Sequence, residues 1–311
     1  MLVQRCLSSL IGKPTRRRFR GLVARSLRAI ALRLVKFPLL GRYDVQWHWP
    51  AATESEGWEE LRIASRSGAS LACLYGIGAG QRQGVVVCAH PLRRDAKGFF
   101  LSNGRVEVFR RNGYDVLLFD FNGFGASSGG DFHYVDDVLA AGDYARARAG
   151  VFPVHILALC FGAIWTLCAA TQDHPFSAIV VEAPLTSLHE YYAGDLFGRT
   201  LLRLFWRLFP QTAARATPIE AAAKLAGTPR LLIIGGLEDA VAPIDMSRRL
   251  FEACTLPLSA RAIWCVGGAA HLDAFETAPA EYEERVMAFL SGPERPERSA
   301  EDAGSRRSVT A

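Results

Sequence analysis

The apolar residues of this chain fall into short runs that alternate with stretches of helical spacing. Runs with the length of buried strands lie at 58–64, 70–75, 84–89, 115–120, 154–159, 178–182, 230–235 and 260–266. Helical patterns lie between the later runs, near 99–112, 134–149, 161–172, 245–254 and 279–290. This alternation predicts an α/β fold with a doubly wound, mostly parallel sheet of about eight strands. The first two strands have no helix between them, which predicts an antiparallel hairpin.

One connection, residues 184–229, is too long for a plain crossover, and we interpret it as a helical lid insertion. Its apolar residues surround a stripe of Arg199, Arg203 and Arg207, which are spaced four apart on one helical face. The stripe is either a solvated face or a contact for a phosphate-bearing substrate.

The ends of the chain differ from its centre in charge. Residues 1–43 carry eleven Lys and Arg and no acid, whereas the rest has 25 basic and 31 acidic residues. Residues 20–36 form a basic amphipathic helical pattern that would either pack on the domain or lie on an anionic membrane surface. We therefore expect a basic amphipathic N-terminal extension over 1–43, one folded domain over 44–291 and a disordered polar tail over 292–311.

The composition narrows the class of protein. Half of the 311 residues are hydrophobic and 22% are charged, which is typical of a soluble globular protein. The seven cysteines are an odd number without a CxxC pair, which favours a reducing compartment and speaks against structural zinc. We expect a cytoplasmic protein with no metal, no cofactor and no nucleic-acid partner.

The candidate chemistry starts at Cys160. The predicted strand 154–159 runs straight into Cys160 and then into a helical pattern, so this thiol lies at a sharp strand-to-helix turn. Such a turn requires small residues two positions before and after, and Ala158 and Gly162 meet that requirement. A thiol at a helix N-terminus has its thiolate stabilised by the helix dipole, which makes Cys160 a candidate nucleophile rather than core filler.

The motifs around this turn resemble those of the α/β-hydrolase family over about residues 58–291. Residues 158–162, Ala-Leu-Cys-Phe-Gly, resemble the G-x-S-x-G nucleophile elbow, and residues 120–127 resemble the D-x-R-G-x-G-x-S turn with Asn122 in place of Arg. Residues 235–243 resemble the acid loop and residues 267–271 the histidine loop. The resemblance implies a triad of Cys160, Asp239 and His271, each just past the carboxyl end of a predicted strand. With cysteine in place of serine, the elbow resembles that of the dienelactone hydrolases and the bile-acid-CoA amino-acid acyltransferases.

An oxyanion hole is implied by the same resemblance. The segment ending in His90-Pro91 looks like the family's H-G signature, but proline has no N–H to donate. We therefore expect the backbone N–H groups of Phe161 and Leu92 to form the hole, with His90 bracing the loop. Glu182, at the end of the preceding strand, is an alternative position for the acid.

These residues predict a cysteine-dependent hydrolase of an ester or thioester that acts through an acyl-enzyme intermediate. Two alternatives stay open: an acyl or aminoacyl transferase that uses a coenzyme A or carrier-protein thioester, and a catalytically silent binding protein. The expected partner is a small-molecule acyl substrate, and the apolar insertion favours a long or aromatic acyl group. Peripheral membrane contact through residues 16–36 is a further expectation.

Overall fold

The strands form one sheet at the places that the apolar runs predict. The computed structural model describes residues 48–50, 55–92, 95–208, 217–225 and 229–292. Within them the strands are β1 (Trp58–Ala64), β2 (Ser70–Gly76), β3 (Gly84–Ala89), β4 (Tyr114–Phe119), β5 (Val154–Leu159), β6 (Phe176–Glu182), β7 (Arg230–Gly236) and β8 (Arg261–Val266). The strand order is β1-β2-β4-β3-β5-β6-β7-β8.

The direction of pairing changes once across this sheet. β1 pairs antiparallel with β2, which confirms the predicted hairpin, and β2 pairs antiparallel with β4. All pairs from β4 to β8 are parallel. The chain therefore has the predicted α/β-hydrolase fold, and the carboxyl ends of its parallel strands meet at one edge.

The helices cover the sheet and agree with the predicted segments, with one exception. They are α1 (Gly98–Ser102), α2 (Arg105–Arg111), α3 (Tyr134–Ala149), α4 (Phe161–Ala169), α5 (Leu188–Tyr191), α6 (Leu196–Leu208), α7 (Pro218–Ala222), α8 (Ile244–Ala253), α9 (Ala274–Thr277) and α10 (Pro279–Leu290). The segment predicted as one helix near 99–112 is two, because Gly104 between α1 and α2 has a left-handed φ of 75°.

Burial explains why the central strands have continuous apolar runs. Every residue of β3, β4 and β5 is buried, since helices cover both faces of the sheet, whereas the edge strand β1 is largely exposed. Helices α3 and α4 pack on each other beside β5. This core therefore fixes the position of the turn that follows β5.

Parts of the predicted organisation lie outside the described residues. These are the basic extension 1–43 with its segment 16–36, and residues 293–311 of the predicted tail. The insertion between β6 and β7 contains α5, α6 and α7, while 209–216 and 226–228 are also outside the described part. Among the helices that the structure describes, none is long and apolar enough to cross a bilayer.

Candidate active site

Cys160 lies at the turn between β5 and α4 in a strained backbone conformation. Its φ of 45° and ψ of −103° are rare for a side chain with a Cβ. The turn is held by a hydrogen bond from the Cys160 N–H to the Glu182 carbonyl oxygen, at 2.9 Å. Gly162 has to be small, since an added Cβ would lie 2.3 Å from the Ala89 carbonyl oxygen. The predicted elbow is therefore present, and it packs directly on the end of β3.

His271 and Asp239 form a hydrogen-bonded pair on the loops that follow β8 and β7. The His271 Nδ1–H donates to Asp239 Oδ2 at 2.8 Å. The other carboxylate oxygen, Oδ1, accepts the backbone N–H groups of Val241 and Ala242 at 2.8 and 2.7 Å. Because its side chain is fully buried and both oxygens are bound, Asp239 holds the imidazole in one orientation.

The imidazole of His271 also contacts the thiol of Cys160. Burial lowers the pKa of His271, but hydrogen bonds to Asp239 and Cys160, together with the negative charge on both partners, outweigh burial and raise that pKa to about 10. The imidazole therefore lies between a carboxylate and a sulfur, and both partners favour its protonated form. The structure thus brings together the three side chains that the sequence singled out.

The two expected oxyanion donors lie on the elbow and on the loop after β3. Phe161 is the first residue of α4, and half-buried Leu92 follows Pro91, just before residues 93–94, which are outside the described part. His90 is fully buried and braces this loop, because its Nδ1–H donates to the Pro91 carbonyl oxygen at 2.8 Å and its Nε2 accepts the Phe121 N–H at 3.1 Å. Burial lowers the pKa of His90, so the ring is neutral and serves as a structural link.

Known proteins resemble this chain over part of its length. Residues 80–221 match the family described as serine aminopeptidase, S33. Human protein ABHD12B is 28% identical over 47% of this chain and 43% of its own length, and human alpha/beta hydrolase domain-containing protein 17B is 28% identical over 57% and 56%. The chain thus spans about half the length of these curated relatives.

A solved structure extends the likeness to most of the domain. The esterase Pf2001 of Pyrococcus furiosus superposes with a TM-score of 0.62 at 17% identity, covering 79% of this chain and 94% of the esterase. The chain shares the α/β-hydrolase fold with this esterase. Within this α/β-hydrolase fold, the sheet edge that carries Cys160, Asp239 and His271 is where such folds gather their sites.

The glycine-rich turn after β4 has a structural role in this fold. Asp120 is buried, and its carboxylate binds the Lys97 Nζ at 2.6 Å and the Ala126 N–H at 2.9 Å. Gly125, at φ 48°, passes so close that an added Cβ would lie 2.3 Å from an Asp120 oxygen. Asn122, which stands where the family has Arg, donates its side-chain N–H to buried Asp137 at 2.6 Å. The turn therefore fastens the loop after β3 to the sheet.

Glu182, the alternative acid, has other partners. Its carboxylate accepts Arg105 Nη2 at 2.9 Å and the Tyr282 hydroxyl at 3.1 Å, all within the protein interior. Asp239 is the carboxylate that is hydrogen-bonded to His271. The sequence favoured Asp239 because its loop pattern fits the acid loop better, and Glu182 stayed an alternative because it also lies at the carboxyl end of a parallel strand.

Two residues near the site were missed by sequence reasoning. Tyr191, at the end of α5, is close enough to Cys160 for the sulfur's charge to add to burial in raising the pKa of the phenol. The Ser187-x-x-Glu190 pattern marks the start of α5, where the Ser187 hydroxyl accepts the Glu190 N–H, but it does not show which way Tyr191 points. Arg105 is the second residue, and its partners are distant in sequence.

Metal chemistry has no candidate ligand cluster in the described part of the chain. No group of three or more His, Cys, Asp or Glu side chains there is placed to hold an ion. The cysteines that the structure describes are all free thiols. The site offers a sulfur nucleophile, an imidazole and a carboxylate that contact one another in turn, which is an arrangement suited to acyl transfer.

Proposed function

We propose that this protein is a cysteine-dependent hydrolase of an ester or thioester, with Cys160 as nucleophile, His271 as acid and base, and Asp239 as the group that orients His271. The observation that carries the proposal is the chain of contacts from Cys160 to His271 to Asp239 at a strained elbow. A solved protein with the same fold is described as an esterase, which supports ester-type bonds as the target.

The first half of the proposed reaction transfers the acyl group to sulfur. The Cys160 Sγ attacks the carbonyl carbon, and the Phe161 and Leu92 N–H groups donate to the developing oxyanion. As the carbon–oxygen or carbon–sulfur bond breaks, the His271 imidazolium gives its proton to the departing alcohol or thiol. The raised pKa of His271 means that the imidazole can hold this proton before the attack.

The second half releases the acid by attack of water. His271, now neutral, takes a proton from a water molecule whose oxygen attacks the acyl carbon. The bond between that carbon and the Cys160 sulfur breaks, the carboxylic acid leaves, and the thiolate and imidazolium are restored. Water is the acceptor that needs no dedicated pocket, so hydrolysis is the simplest outcome for this site.

Intact-mass spectrometry tests the proposal. Purified protein is mixed with a panel of p-nitrophenyl esters and acyl thioesters of increasing chain length, and quenched at intervals. We expect a mass increase equal to one acyl group that rises and then decays as free acid appears. Cys160→Ala should show neither the adduct nor turnover, while Cys168→Ala, a matched change of a buried thiol on the same helix, should behave as the wild type.

The outcomes of that experiment are distinct. An adduct that forms in folded Cys160→Ala at the wild-type rate would assign the acyl acceptor to another residue. A folded wild type that neither acylates nor releases acid with any member of the panel would contradict hydrolysis. Release of an amide when an amine is added would redirect the assignment to acyl transfer.

A further inference from the structure

A buried arginine links the end of β6 to the loop after β8, which carries His271. Arg105 lies at the start of α2, and its side chain is fully buried. Its Nη2 donates to Glu182 Oε1 at 2.9 Å and to the Leu272 carbonyl oxygen at 2.6 Å. Its Nη1 donates to Glu276 Oε1 at 3.2 Å. One guanidinium therefore binds both the end of β6 and the loop after β8.

Each of the two principal contacts is one step from a proposed catalytic residue. The Glu182 carbonyl oxygen accepts the N–H of Cys160, so the residue that holds the guanidinium also holds the elbow. Leu272 follows His271 directly and has a left-handed φ of 69°, which is unfavourable for leucine. A strained residue stays in place only when its surroundings fix it, and the guanidinium fixes its carbonyl group.

Three aromatic rings surround the Arg105 guanidinium and restrict its position. The rings of Phe99, Phe275 and Tyr282 lie 5.4, 5.2 and 5.8 Å from its central carbon. The Tyr282 hydroxyl donates to the second oxygen of Glu182, so both carboxylate oxygens are used. Arginine can meet this geometry because its planar group presents several donors at fixed angles, which a lysine ammonium does not.

We infer that Arg105 is a positioning residue, which sets the distance between Cys160 and His271 by fixing Leu272 against Glu182. The inference rests on the proposed function. It differs from a role in folding alone, since it requires that the imidazole move when the guanidinium is replaced, even in a protein that stays folded.

Arg105→Lys is the first test, with Tyr282→Phe as the matched control. The lysine keeps the charge but cannot reach both Glu182 and Leu272. Tyr282→Phe removes the interactions of the hydroxyl with Glu182 and Arg105 but leaves the Arg105 donors to Glu182 and Leu272 in place. We expect Arg105→Lys to lower kcat by about 10- to 100-fold with little change in KM, since small misplacements of reacting groups have effects of that size. Tyr282→Phe should keep kcat within a few fold.

NMR of histidine-labelled protein can follow the titration of His271, with His271→Ala used to assign the signal. This titration distinguishes an effect of Arg105 on the position of the imidazole from an effect on the stability of the fold. In the wild type and in Tyr282→Phe the midpoint should lie near the raised pKa of about 10. In Arg105→Lys the midpoint should lie below the wild-type value, because a displaced imidazole is held less closely by Cys160 and Asp239. The titration does not require turnover, so it tests the positioning role of Arg105 even if the wild type hydrolyses none of the substrates.

A second variant covers the case in which Arg105→Lys does not fold. Arg105→Met combined with Glu182→Met replaces both buried charges, and such neutral replacements commonly keep a fold stable. This variant also lacks the donor to Leu272, so its kcat and its His271 midpoint should fall as well. A folded variant of either kind with wild-type kcat and a wild-type midpoint would overturn the inference.

Discussion

At the scale of single residues, the geometry of the site depends on what each carboxylate oxygen of Asp239 binds. One oxygen binds the His271 Nδ1–H, and the other binds two backbone N–H groups of its own loop. The carboxylate is therefore fixed before it orients the imidazole. Neither oxygen can be exchanged for an amide nitrogen without placing two donors face to face.

We expect Asp239→Asn to lower kcat by up to about 10⁴-fold, because the amide would favour the wrong tautomer of His271. Asp245→Asn is the control, since that carboxylate lies on the surface in a pair with Arg249. Steady-state kinetics on the best ester or thioester would measure both. A folded Asp239→Asn variant with near wild-type kcat would show that the imidazole is oriented by another group.

At the scale of elements, the sequence predicted the strands, but it predicted neither the break between α1 and α2 nor the buried contacts of Arg105. Buried parallel strands are continuous apolar runs, so the positions of these runs along the chain predict where the strands lie. The break between α1 and α2 was missed because Gly104 stands in an otherwise helical pattern. Arg105 was missed because Glu182 and Leu272 lie 77 and 167 residues away in sequence, and a lone arginine in a helical pattern is typical of a surface.

The elbow itself provides a test at this scale. Gly162→Ala would place a Cβ against the Ala89 carbonyl oxygen, so we expect about 1–3 kcal/mol of destabilisation and a loss of activity as α4 and β3 move apart. Gly267→Ala is the matched control in the histidine loop, where an added Cβ meets no atom within 4 Å. Urea unfolding and kinetics measure both variants. Equal stability and activity in the two would show that the elbow tolerates a wider separation.

At the scale of the whole molecule, the fold places Cys160 in surroundings unlike those of other thiols. Burial raises the pKa of Cys73, of Cys88 and of Cys254, and it raises that of Cys168 to about 12. Cys160 alone among the described cysteines has an imidazole as its hydrogen-bond partner. The parallel sheet produces this difference, since it brings the ends of β5, β7 and β8 to one edge.

A short pulse of iodoacetamide at neutral pH, followed by peptide mapping, tests whether the Cys160 thiol and the His271 imidazole are coupled. Cys160 should be labelled far faster than the other cysteines, because only the thiolate reacts and the His271 imidazolium stabilises it. His271→Ala should slow that labelling, whereas His133→Ala, a change of a histidine on the surface, should not. Uniform labelling, or labelling of Cys160 that is unaffected by His271→Ala, would contradict a coupled thiol and imidazole and would favour a silent binding protein.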